Sequence, residues 1–346
     1  MSPRYPVRQR PAIHRTSLRE WREDGDAASI ETRAFWRWVT IRGAGGGTRA
    51  EHLLSEEEFR VLSKGASGGG FLVPTEVSEM IIAAARAAGQ VAQLANEVVS
   101  NGGETLNMSL AGTHGTAGWV AESGSYTASD ETITQQALNA FKAATKIIVS
   151  EELLLDQAVD LDAYLAFELG SRIGALQESA FCVGDGSGKP LGLVHASSPY
   201  AVVNAATGSS VIYKAADLQA VYLALPAGYR GNASWLVNAD DFGKLAGTTD
   251  SAGSLAFPSL HFDPPSIFGR PVFVSGDLPA PAASAKSLVF ADFKRAYGVR
   301  RVNSVEMQRQ DELHSDVGQV GYRARNRVDG RPLLADAARI LAHSAT

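Results

Sequence analysis

The stretch LDAYLAFELGSRIGALQESAFCV at 161–183, stopped by GDGSGKPLG at 184–192, decides the fold. Apolar residues fall at Leu161, Leu165, Leu169, Ile173, Leu176 and Ala180, the spacing that lays one stripe of a helix against a core. Asp160 stands at the helix start, and Glu168 and Arg172 lie one turn apart on its polar side. This is the strongest helix in the chain. The glycine-rich run behind it invites comparison with a phosphate loop, which takes G-x-x-x-x-G-K-[ST] between a strand and a helix. Here Val183 stands five residues before Gly188, Pro190 follows Lys189, and a helix comes first. The run therefore reads as a helix-ending turn, where glycine is the default residue.

Toward the N-terminus, residues 104–149 change character. ETLNMSLAG and ITQQALNAFKAATKIIVS favour strands, with Thr, Ile and Val at many positions. Between them HGTAGWVAESGSYTASDET (114–132) is a long polar loop or hairpin, and loops of that length in compact domains are usually functional. Trp119 and Tyr126 stand in it, where aromatics cannot bury themselves locally; this favours a partner contact. Ser150 with Glu151 and Glu152 is expected to open a helical region. Thr75 caps a helix through Ile81, Ile82 and Ala88, ended by Gly89. GASGGG at 65–70 is a linker, and short helices are expected near 30–41 and from Ser55 through Leu62.

Toward the C-terminus, SWLVN (234–238) and PVFVS (271–275) read as short buried strands, and Ala215–Leu225 and Asp240–Leu245 as helices. Asp240 and Asp241 are expected to cap the second of these. LVFAD (288–292), YGVRRV (297–302), VEMQRQ (305–310) and VGQVGYRARNRVDG (317–330) read as successive strands. The class is α+β, with one long helix, β-ribbons and a long extended loop. In RARNR, Arg323, Arg325 and Arg327 fall on one strand face. Pairing with acids elsewhere outweighs direct phosphate contact there, because clustered charge alone is a weak signal.

The 346 residues suggest roughly two domains, and 45% hydrophobic content supports a sizeable core. The net charge of −5 argues against a generally basic nucleic-acid binder. It hides a split: residues 1–22 carry six Arg against Glu20, a net of +5, which leaves −10 for the rest. One cysteine, Cys182, excludes a disulfide within the chain and a cysteine-based zinc site; it reads as a small packing residue. No apolar run reaches the roughly 18 residues of a membrane span, and no signal sequence is expected. His52 and Glu56 have metal-ligand spacing but no third partner, G-x-S-x-G is absent, and no cofactor is expected.

With the chemistry inventory nearly empty, the order of segments carries the reading. GGGFLVPTEVSEMI (68–81), WVAESGSYTASDETI (119–133), the helix 160–183 with GDGSGKPLGLV (184–194), IFGRPVFVSGDLP (267–279), FADFKRAYGVRR (290–301) and YRARNRVDGRPLLADAARIL (322–341) resemble, in this order, the Hong-Kong-97-type major capsid proteins of tailed bacteriophages. The resemblance implies that family's fold: an N-terminal arm at 65–103, an extended β-hairpin loop at 104–149, a peripheral domain at 150–212 and 303–346 that holds the long spine helix, and an axial domain at 213–302. Residues 1–64 resemble the family's N-terminal delta region, with 65–70 the cut site if a protease removes it.

The resemblance also implies a function. It is that of a structural protein, not an enzyme, forming pentamers and hexamers that tile an icosahedral shell around double-stranded DNA without sequence specificity. Such a shell assembles in the host cytoplasm, in partnership with a portal and with scaffold or decoration proteins, and away from any membrane. Trp119, Glu122, Tyr126, Glu168, Arg172, Arg323, Arg325 and Arg327 are the residues expected to make assembly contacts. The founding member of the family joins subunits by a bond between an extended-loop Lys and an Asn. The loop from His114 to Thr132 has no Lys, and Lys142 and Lys146 lie beyond it, so no covalent crosslink is expected. The alternatives are an encapsulin-like compartment or gene transfer agent shell, and a soluble hydrolase using the Asp and His residues.

Overall fold

The computed structural model describes residues 75–113, 119–120, 132–150, 152, 161–206, 208–209, 212–249, 253–310 and 312–345. The helices expected near 30–41 and from Ser55, the linker, His52, Glu56, Glu122 and Tyr126 lie outside them. The chain forms two compact units. The smaller draws on Met1–Val77, Ile147–Glu168 and Met307–Tyr322, the larger on Ser78–Lys146, Leu169–Glu306 and Arg323–Thr346. Among the described residues no helix is long and apolar enough to cross a membrane.

The elements run in the order α1 (Thr75–Ala87), α2 (Val91–Leu94), β1 (Asn96–Ser100), β2 (Leu106–Thr113), β3 (Thr132–Leu138), β4 (Phe141–Ser150) and α3 (Leu161–Val183). Then come β5 (Ala201–Asn204), α4 (Ala215–Ala224), α5 (Ala227–Arg230), β6 (Ser234–Asn238), α6 (Ala239–Ala246), β7 (Ser266–Ile267) and β8 (Arg270–Ser275). The chain closes with β9 (Lys286–Ala291), α7 (Phe293–Ala296), β10 (Tyr297–Gln310), β11 (Gln319–Pro332) and β12 (Ala338–Ala342). Ser150 ends β4, and Glu152, two residues on, is helical, in keeping with the helical region expected there.

The long helix forms where the apolar spacing put it, but its buried stripe differs from a count of apolar residues. Within the larger unit the buried positions are Leu169, Gly170, Ile173, Gly174, Gln177, Glu178, Phe181 and Cys182. Leu176, expected in the core, is 54% exposed. The reason is close packing by α1. A Cβ on Gly170 would stand 2.6 Å from the Ile81 carbonyl oxygen, and one on Gly174 would stand 2.8 Å from Ala85 Cα. Two glycines four residues apart thus form a groove for the neighbouring backbone, and the stripe turns toward them.

A six-stranded mixed sheet, in the order β5-β12-β9-β6-β8-β7, forms the heart of the larger unit. β6 pairs with β8 in parallel (Trp235↔Val272) and with β9 in antiparallel (Trp235↔Phe290). Side chains alternate across a strand, and both faces of this sheet are buried. Trp235, Val237, Leu288, Phe290 and Leu341 enter one core, while Leu236, Val289, Ala291 and Ile340 enter the other. Trp235 stacks on Phe290 with ring centroids 4.1 Å apart. Two-sided burial explains why these strands read as unbroken apolar runs.

The second sheet has the order β1-β10-β11-β4. β1 runs parallel to β10, from Asn96↔Gly298 to Ser100↔Val302. YGVRRV and VEMQRQ, expected as two strands, form one, because β10 is carried through Asn303-Ser304 by the ladder it shares with its neighbours. Among the described residues β2 and β3 pair only with each other, antiparallel from Leu106↔Leu138 outward.

Candidate functional site

Chemistry-bearing side chains do meet inside the larger unit, but as packing. Asp241, His343 and Ser287 are all buried. His343 Nε2 is 3.0 Å from Asp241 Oδ2, and the Ser287 hydroxyl donates to that same oxygen instead of facing the imidazole. The His343 ring stacks on Tyr213 at 3.9 Å, and its Nδ1 is 3.1 Å from the Ser209 carbonyl oxygen. With the serine on the carboxylate and not on the imidazole, the three groups do not form the serine–histidine–carboxylate relay of a hydrolase. The expected capping role of Asp240 and Asp241 is corrected here. Asn238 caps α6, its Oδ1 accepting from Asp240 N at 2.8 Å, which frees Asp241 to turn inward to His343. A cleft lined by Gln93, Ser234, Asp292, Phe293, Lys294 and Arg295 contains no histidine.

The run 184–192 is the expected turn. Gly186 and Gly188 adopt φ of +80° and +67°, and Asp185 accepts from Ser187 N at 2.9 Å while meeting Lys189 at 3.3 Å. Cys182 is fully buried with its sulfur 3.8 Å from Ser275 Oγ, and burial pushes the thiol pKa far up.

What the chain builds with care is the root of the β2–β3 hairpin. Arg300 and Arg301 are adjacent on β10 and so project to opposite faces. Both are buried, at 2% and 1% exposure, where an arginine requires partners. Arg300 Nε donates to Ser100 Oγ at 3.0 Å and Nη2 to the Gly102 carbonyl at 2.8 Å. Its Nη1 donates to the carbonyls of Leu138 at 2.9 Å and Asn139 at 3.3 Å. The Asn139 amide donates to Asp329 Oδ2 at 2.7 Å. Burial holds the Asp329 carboxyl above its ordinary range, and that hydrogen bond pulls it back.

On the other face, Arg301 Nε donates to Glu97 at 2.7 Å and Nη1 to Gln177 Oε1 at 3.0 Å. Arg86 of α1 completes the Glu97 pair at 2.7 Å. Beside Gln177, Glu178 Oε1 accepts from the amides of Gln90 and Val91, each at 2.9 Å. Adjacent residues of α3 thus hold two different elements, Gln177 the β10 arginine and Glu178 the turn between α1 and α2.

The expected contact residues divide among these surroundings. Trp119 is fully exposed. Glu168 is half-buried, and Arg172, exposed, reaches the Lys146 carbonyl at 3.4 Å. Arg323, Arg325 and Arg327 alternate with buried Tyr322, Ala324, Asn326 and Val328 on β11. Arg325 pairs with Glu306, the ion-pair reading of that tract. Arg327 lies against Gly103, where a methyl group would collide with its guanidinium. Arg300, Arg301, Gln177, Glu178 and Asp329 were missed. The available signal was Arg-Arg inside an apolar strand, since adjacent strand residues cannot both face solvent in a buried sheet.

A model of the phage capsid family matches residues 69–342. No curated protein matches the chain. Among solved structures it is similar to a chain from the capsid of a native GTA particle, with 22% identity and a TM-score of 0.64 over 88% of this chain and 100% of that one. It is also similar to a chain from Mycobacterium phage Bobi, with 18% identity, a TM-score of 0.57 and coverage of 75% and 91%. For one from Microbacterium phage Oxtober96 the values are 16%, 0.58, 74% and 91%. At such identities the likeness is one of fold.

Proposed function

Since the chain belongs to the phage capsid family and is a structural subunit of a capsid shell, we propose that its copies form pentamers and hexamers closing an icosahedral shell around double-stranded DNA. The observation that carries this is the β2–β3 ribbon. It is a two-stranded sheet whose side chains at Asn107, Ser109, Gln135 and Ala137 are exposed. A lone two-stranded ribbon is marginal in water and gains stability by lying on another surface. A neighbouring copy supplies that surface, with Trp119, Glu122 and Tyr126 as contacts and Glu168, Arg172, Arg323, Arg325 and Arg327 as further candidates. In this reading the arm is 65–103, the extended loop 104–149, the peripheral domain 150–212 with 303–346, and the axial domain 213–302.

In this reading the six arginines before residue 23 serve to meet packaged DNA, whose phosphates bind clustered cations without regard to sequence, or scaffold or the acidic surfaces of neighbouring subunits during assembly. Portal, scaffold and decoration proteins are the remaining partners, and assembly takes place in the host cytoplasm. Negative-stain microscopy of the purified full-length chain tests the proposal. Closed shells are expected, and a chain that remains monomeric at high concentration overturns it. A gene transfer agent shell is the second reading, favoured by the 88% of the chain that superposes on the GTA capsid. Sequencing the enclosed DNA separates the two: fragments of host genome support the second, a single viral genome the first.

A further inference from the structure

Arg300 has four acceptors, and all belong to the two chain segments that enter and leave the β2–β3 hairpin. Ser100 and Gly102 stand before it, and Leu138 and Asn139 stand after it. The guanidinium therefore spans the ribbon's open end, just outside its first paired residues, Leu106 and Leu138. Three of the acceptors are backbone carbonyls, those of Gly102, Leu138 and Asn139. The entering leg, Asn101-Gly102-Gly103, is the most permissive backbone near the root, and a Cβ on Gly102 would meet nothing. Arg300 on the Gly102 carbonyl and Arg327 against Gly103 remove that freedom. On the leaving leg, Asp329 fixes the Asn139 amide. Only a planar fork with donors on several edges reaches both legs at once, which a lysine ammonium cannot do.

We propose that Arg300 is a positioning residue for shell assembly: it clips the two legs of the hairpin together and sets the direction in which the ribbon leaves the subunit. The inference rests on the reading of the ribbon as the element that lies on a neighbouring copy. Removing the clip frees rotation at residues 101–103 and 139–140, so the ribbon samples orientations that miss the neighbour.

The test uses the full-length chain with Arg300→Met, Arg300→Lys, Arg301→Met and a variant whose ribbon is shortened by replacing residues 110–134 with Asn-Gly. Closed-shell yield, thermal unfolding of the unassembled subunit and amide hydrogen exchange across β2 and β3 are measured together. Arg300→Met is expected to lower shell yield about tenfold or more and to raise exchange in both strands, as the loss of several buried hydrogen bonds implies. Arg301→Met, equally buried but bonded to Glu97 and Gln177, is expected to leave exchange in the ribbon unchanged. If Arg300→Met does not fold, Arg300→Lys carries the test, with a folded subunit and reduced yield expected.

Wild-type yield and exchange in Arg300→Lys and Arg300→Met overturn the proposal. So does a loss of yield that follows melting temperature equally in the Arg300 and Arg301 variants. Failure of the shortened variant to assemble, with the Arg300 variants assembling normally, rejects the clip alone. Normal assembly of the shortened variant rejects the reading on which the clip rests.

Discussion

Glu178 is a carboxylate on the inner side of a helix, with one oxygen capping a backbone turn and the other, Oε2, without a hydrogen-bond partner among the described residues. Burial raises its pKa above the ordinary 4.5; the amides of Val91, Gln90 and Ala92 pull it back, and Asp277 raises it further. The folded subunit therefore binds this proton more tightly than the unfolded chain does. The stability that protonation adds is fully present below about pH 4.5 and is lost as pH rises through the raised folded value. Glu178→Gln keeps an acceptor for the two amides and removes the charge. The variant is expected to melt at or above the wild-type temperature at pH 7, with a flatter dependence on pH above 4.5. Thermal unfolding of the unassembled subunit across that range checks it; a large loss of stability at pH 7 would count against the account. Nothing in the local sequence announced this residue. A glutamate at an outward-looking position reads as solvated until the packing of the facing glycines is known.

At the scale of elements, two glycine substitutions should move stability in opposite directions. Replacing a helical glycine by alanine favours the helix by about 1 kcal/mol where there is room. Gly243, exposed on α6, has nothing near its missing Cβ, so Gly243→Ala should stabilise by roughly 0.5–1 kcal/mol. Gly174 faces the backbone of Ala85, which cannot step aside as a flexible side chain does. Overpacking there costs about 1–3 kcal/mol, more than the helix gains, so Gly174→Ala should destabilise. Denaturant unfolding of both variants decides the signs. Most elements were legible beforehand, because a strand such as Ser234–Asn238 carries its apolar run, and the helix 161–183 its period, in its own residues. What was not legible depends on neighbours. Leu176 faces outward because α1 claims the glycine side of the helix, and β10 runs unbroken because its ladder outweighs the weak strand preference of Asn303-Ser304. The hairpin root was invisible for the same reason: Ser100, Leu138, Arg300 and Asp329 lie far apart in the chain.

For the whole particle, the question is what holds one copy to the next. No lysine occurs between His114 and Thr132, and Lys142 and Lys146 belong to β4, behind the ribbon. On the proposed reading, stability is left to a decoration protein or to non-covalent burial of side chains such as Trp119, which the isolated subunit leaves in solvent. Denaturing electrophoresis of purified shells should give a single band at the subunit mass, 36.6 kDa for the uncut chain. A ladder of higher bands would reject non-covalent closure. A single band at lower mass would leave closure intact and show a proteolytic cut, which N-terminal sequencing of that band then locates.

Cys182 carries a practical consequence for watching such a shell form. The chain has one thiol, sealed in the core and held protonated by burial, so no thiolate is presented to an alkylating reagent. A second cysteine introduced on an exposed turn, at Ser187 for instance, would be the sole reactive sulfur of the native subunit. A fluorophore placed there reports on assembly in real time without first engineering the native residue away.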